Sequence, residues 1–115
     1  VVDMAALWRK YTGLGFVFAV WAVRNQDLSR VASIDFAAAR DEGLEQIEAI
    51  LSHYEREIPL ARDELREYLT DDITFHIDEP MQQGMQLYFD LAHKHELIEQ
   101  VQPLRFTRSL PNQER

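Results

Sequence analysis

Few of the residue types that do chemistry are spaced for it in this chain. His93 and His95 stand two apart, which on a helix directs them to different sides, and no glutamate-bearing zinc motif surrounds them. We read them as surface histidines and expect no metal. His76 alternates onto the side opposite Phe75, and His53 neighbours Tyr54. Either could donate a proton, yet a lone histidine is weak ground for that role. Asp71-Asp72 and Asp78-Glu79 could be imagined as acid–base pairs, but each falls at an element boundary, where capping and solvation account for carboxylates. Arg24 closes an apolar run and could reach an anion, although solvent exposure is the better account.

The remaining candidate is Thr12-Gly13-Leu14-Gly15-Phe16. Such a loop could present backbone N–H groups and the Thr12 hydroxyl to a carboxylate. Spacing alone favours a plainer account, a helix stop and a turn, because glycine punctuates turns generally. Phe16, Phe18 and Trp21 could line a pocket, but aromatics in a continuous apolar run are more often core.

The elements that must position these residues follow from caps and periodicity. Asp3 can cap a short helix carrying Met4, Leu7, Trp8 and Tyr11 on one face, with Gly13 as its stop. Residues 16–23 have no polar face, the pattern of a strand buried on both sides of an α/β sheet. Ser33 is a candidate N-cap for a long helix reaching about Glu57, with Asp35 in its first turn and Leu44, Ile47, Leu51 and Tyr54 as its stripe. Pro59 suits the start of another helix, burying Ala61, Leu65, Tyr68 and Leu69. Residues 73–78 alternate as a short strand or extended connector. Pro80 opens the last helix, where Met81, Met85, Tyr88, Phe89 and Ala92 share a face, and an irregular tail follows over 109–115.

Composition limits the class. The 115 residues carry a net charge of -8 and no cysteine, and 46% are hydrophobic. That describes one soluble domain or part of one, with no disulfides, thiolate metal sites or cysteine nucleophile. The acidic balance opposes nonspecific binding to nucleic acid or an anionic membrane, though not binding of a small anion by a few local groups. The apolar run over 14–23 is about half of the ~20 residues that a membrane span needs.

Leu7-Trp8, Tyr11-Thr12-Gly13-Leu14 and Phe16-Val17-Phe18-Ala19-Val20-Trp21 together resemble the menaquinone-biosynthesis chorismate dehydratase family, in its C-terminal portion. Gly43-Leu44, Tyr68-Leu69, Ile73-Thr74-Phe75, Gly84-Met85, Phe89 and Leu97-Ile98 fall where that family has similar residues. The resemblance implies an α/β, two-lobed fold like that of periplasmic solute-binding proteins, of which residues 1–108 would be the helix-rich C-terminal part. It implies a cytoplasmic lyase that removes water from chorismate to give 3-[(1-carboxyvinyl)oxy]benzoate in the futalosine route to menaquinone, without a cofactor. On that basis Thr12, Gly13, Leu14, Gly15 and Phe16 would touch the substrate, while the catalytic positions would lie upstream of Val1 and the chain alone would be inactive. The family usually has proline after Gly-Leu. Gly15 stands there in this chain, so the loop loses a fixed φ.

Two other functions fit a chain of this kind: a non-catalytic small-molecule-binding or sensory protein of the same fold, and the related naphthoate synthase of the same pathway. Two candidate strands cannot by themselves bury a run that is apolar on both faces. The expectation is therefore that an N-terminal lobe, or a second copy in a homodimer, completes the sheet.

Overall fold

The computed structural model describes residues 1–107, and these form two compact units. The first unit comprises Val1–Ala22 and His76–Thr107, and the second is Val23–Phe75. The 109–115 tail lies outside the described residues.

In the first unit, helix α1 spans Met4–Thr12. It begins at Asp3, whose carboxylate accepts from the N–H groups of Ala5 and Ala6 at 2.9 and 3.1 Å, satisfying donors that a helix start leaves without partners. It stops at Gly13, whose φ of 72° places it in the left-handed region that glycine adopts without strain. The Gly13 N–H closes the last turn on the Arg9 carbonyl at 2.8 Å. Helix α6, Glu79–Lys94, is the longest element and starts in the same manner, with the Asp78 carboxylate accepting from the Met81 N–H at 2.8 Å. Capping is thus the observed role of Asp78. Pro80 sits in the first turn, where its missing N–H would have had no helical partner.

The second unit holds a 3-10 turn, Asn25–Asp27, followed by α2 (Leu28–Val31), α3 (Phe36–Glu45), α4 (Ile47–Tyr54) and α5 (Arg62–Glu67), and then a π-helical turn, Tyr68–Asp72. The single long helix expected from about Ser33 to Glu57 is two helices. Asp35 caps α3 through the Ala38 N–H, and at Gln46 the N–H bonds to Gly43, three residues back instead of four. With φ at -106° and ψ at 24°, Gln46 leaves the helical region and the axis is interrupted. Helix α5 starts at Arg62 rather than Pro59, and the Glu64 carboxylate reaches back to the Ala61 N–H at 2.9 Å. Leu51 of α4 is fully buried and Leu65 of α5 nearly so. Across these two helices Arg62 bonds to Glu55 at 2.7 Å and to Glu48 at 3.0 Å, and Arg66 also pairs with Glu48. Those bonds, from Glu55 first and then Glu48, hold the Arg62 guanidinium above its ordinary pKa.

The expectation of an α/β fold is overturned. Among the described residues there is no strand and no sheet; the protein is helix-rich. Residues 14–24 run between α1 and the 3-10 turn without regular secondary structure. Phe18 is 77% exposed, Trp21 86% and Val20 45%, so most of the predicted buried strand faces solvent. The physical reason is that a strand exists only through a partner whose backbone pairs with it, and among the described residues no other extended segment is hydrogen-bonded in a ladder with this one. Residues 73–78 behave likewise and are an extended connector.

Candidate functional site

The loop of residues 12–16 is tied down through the Thr12 hydroxyl, the Gly13 and Leu14 N–H groups and the Gly15 carbonyl. The Thr12 hydroxyl donates to the Trp8 carbonyl at 2.7 Å and accepts from the Leu14 N–H at 3.1 Å. Its proton is therefore committed to the helix, and toward a ligand it retains only acceptor capacity. The Gly13 N–H is used in closing α1. The Gly15 carbonyl accepts from the Trp8 indole N–H at 3.2 Å. Among the described residues the N–H groups of Gly15 and Phe16 have no partner within the chain, and these are the donors the loop has left.

The direction of one of them follows from peptide geometry. The Gly15–Phe16 peptide is trans, and in a trans unit the C=O and N–H point opposite ways across one plane. Since the Gly15 oxygen is aimed at the Trp8 indole and at the surface of α6, the Phe16 N–H is aimed away from both.

Helix α6 supplies the platform for this arrangement. A Cβ built on Gly84 would lie 2.3 Å from the Gly15 oxygen and 3.5 Å from the Leu14 Cβ, so the loop backbone rests directly on the helix where a side chain is missing. Gly84 is the buried residue of α6. One turn earlier Met81 lies against Gly15, where an added Cβ would meet its Cγ at 2.8 Å. The loop's Phe16 enters a cluster of three rings, with centroids 5.8 Å from Trp8 and 5.6 Å from Tyr88, while Trp8 and Tyr88 are 5.9 Å apart. All three pairs meet edge to face, the arrangement that ring quadrupoles favour.

The electrostatics of the loop are mixed. It follows the C-terminal end of α1, whose carbonyl dipoles disfavour an anion. Arg9 and Lys10 in that last turn offset this, and both are exposed.

Of the residues expected at a site, the structure gathers Thr12, Gly13, Leu14, Gly15 and Phe16 into this one anchored turn. His93 and His95 lie at the end of α6, beside a shallow depression lined by His93, Glu96, Leu97, Ile98 and Glu99 to which the loop contributes nothing. His53 packs edge-on against Tyr54 at 4.7 Å. Sequence reasoning used Gly84 and Trp8 for the family resemblance, and Trp8 for the face of the first helix, but gave neither a part in holding this loop. For Gly84 the available signal was a glycine in the middle of a helical pattern, which lowers helix stability and often marks a close backbone approach.

Comparison with known proteins completes the picture. Residues 1–94 match the family described as menaquinone biosynthesis. The chain is also similar to the chorismate dehydratase of Thermus thermophilus, with 32% identity over 89 residues, covering 76% of this chain. The match takes in 32% of that relative, so the chain corresponds to about a third of its length. No solved structure matches the chain.

Proposed function

This chain belongs to the menaquinone-biosynthesis family, and from that premise we propose that it serves as part of a chorismate dehydratase, a carbon–oxygen lyase. The reaction removes water from chorismate to give 3-[(1-carboxyvinyl)oxy]benzoate, so the ring becomes aromatic as the hydroxyl and a ring proton leave. Such an enzyme needs an acid for the hydroxyl, a base for the proton and anchors for the substrate's carboxylates. To this chain we assign an anchor. The N–H groups of Gly15 and Phe16, with Arg9 and Lys10 nearby in α1, take one carboxylate. Thr12, Gly13 and Leu14 hold the turn that presents them. No acid or base is assigned within the chain, and the chain alone is inactive on this reading.

The observation that carries the proposal is the family match over residues 1–94, supported by the likeness to the Thermus enzyme. A transplant tests it. Residues 1–94 replace the corresponding segment of the Thermus thermophilus chorismate dehydratase, and dehydration of chorismate is followed by product absorbance. Turnover by the folded chimera supports the proposal. A folded chimera that binds no chorismate and forms no product overturns it.

A further inference from the structure

We propose that Gly84 is a positioning residue: the side chain it lacks sets the orientation of the Gly15–Phe16 peptide, and so of the Phe16 N–H that takes a substrate carboxylate. This rests on the reading of the loop as a carboxylate anchor and adds a residue on a different element that controls it.

The case begins with a glycine in an unfavourable place. Glycine is a poor helix former, and Gly84 stands in the interior of α6. Gly43 in α3 offers a contrast, since a Cβ added there meets nothing within 4 Å. At Gly84 the added Cβ would stand 2.3 Å from the Gly15 oxygen, a distance that real Cβ contacts do not reach. Relief has to come from movement of the loop or the helix, because the obstructing atom is backbone and not the end of a flexible side chain.

The loop's movement has a predictable form. The Gly15 carbonyl also accepts from the Trp8 indole N–H at 3.2 Å, so a displacement that relieves the contact with α6 disturbs that bond as well. The peptide is planar, and turning its carbonyl turns the Phe16 N–H by the same angle. Phe16 itself is held between Trp8 and Tyr88, and Tyr88 lies one turn beyond Gly84 on α6. Gly84, Trp8 and Tyr88 thus constrain one peptide unit through space, a hydrogen bond and ring packing. Gly15 is a weaker point of the same contact, since its Cβ would meet the mobile side chain of Met81.

The test uses the 115-residue chain labelled with 15N, titrated with chorismate into the millimolar range that a partial site calls for, a Kd on the order of 1 mM. In the unaltered chain the Gly15 and Phe16 amides should shift saturably. In Gly84→Ala the Phe16 amide and Trp8 indole resonances should move before any ligand is added, and the affinity should fall about tenfold, whereas Gly43→Ala should leave both unchanged. Trp8→Phe releases the carbonyl without adding volume and should also weaken chorismate binding, which decides the matter if Gly84→Ala does not fold. In the Thermus chimera Gly84→Ala should raise KM more than it lowers kcat, a split that general destabilisation does not produce. Unchanged affinity in a folded Gly84→Ala, or in Trp8→Phe if the former is unfolded, overturns the positioning role and leaves the anchor reading standing. A failure of the Gly15 and Phe16 amides to respond in the unaltered chain overturns the anchor reading, and this inference with it.

Discussion

The Trp8 indole N–H donates to the Gly15 carbonyl at 3.2 Å, a side-chain to backbone bond spanning seven residues that ties the exit of the first helix to the helix itself. The bond is half-buried, and its ring also packs on Phe16 and Tyr88. Trp8→Phe keeps an aromatic ring while removing the donor, which leaves a partly buried carbonyl without its partner. We expect a loss of about 1 kcal/mol, the usual net worth of such a bond, read from chemical denaturation of the variant beside the unaltered chain. Equal midpoints and slopes would show that the indole bond contributes nothing.

Two glycines should respond in opposite directions for separate reasons. At Gly13 there is open space but a φ of 72°, so Gly13→Ala suffers backbone strain of about 1 kcal/mol and should destabilise. At Gly43 there is open space and ordinary helical backbone, so Gly43→Ala should stabilise by up to about 1 kcal/mol through helix propensity. Thermal melts of both variants check the signs, and a Gly43→Ala that melts below the unaltered chain contradicts this account.

The Arg62 pairs with Glu55 and Glu48 predict a salt effect in place of a pH effect near neutrality. A cation whose pKa is raised on folding contributes at every pH below its ordinary range and loses that contribution only as pH climbs through the raised value, here in strong alkali. Titration of Arg62 should therefore leave stability flat between about pH 6 and pH 9. Because the pairs are solvent-exposed, Arg62→Gln should lower the melting temperature in dilute buffer, and the gap should close in roughly 1 M salt. A gap that is the same at both salt concentrations would mean that Arg62 acts through packing.

The exposed apolar segment should make the isolated chain self-associate. Phe18 at 77% and Val20 at 45% exposure stand close together in the unladdered stretch over 14–24. Contiguous apolar surface of this kind promotes association. Light scattering should give an average mass above 13.5 kDa that rises with concentration. Phe18→Ser with Val20→Ser should bring it back toward that value. A concentration-independent mass of the unaltered chain at 13.5 kDa would refute the expectation.

What the sequence determined by itself was local. Asp3 before α1 and Asp78 before α6 are capping residues whose short carboxylates reach the first helical N–H groups without help from distant parts of the chain. Gly13 ends α1 because of its own freedom at positive φ, and the Met81, Met85 and Tyr88 spacing lies along one helix. The position of the candidate loop was legible for the same reason, as was the family resemblance carried by residues around it.

Tertiary structure decided what depends on a second segment. An unbroken apolar run is consistent with a strand, but hydrogen bonding to a neighbour makes one, and residues 16–23 have no such ladder among the described residues. The division at Gln46 lay beyond periodicity, because one residue's φ and ψ can interrupt a helix while its apolar stripe continues. The loop's chemistry was hidden in a similar way. Thr12, Gly13 and Leu14 have donors by type, yet their use by Trp8, Arg9 and Thr12 leaves the Gly15 and Phe16 N–H groups as the loop's donors without a partner among the described residues. Gly84 shows the limit most clearly, because its part in the loop comes from an atom it does not have, and the importance of empty space is set by the Gly15 backbone, 69 positions away in sequence.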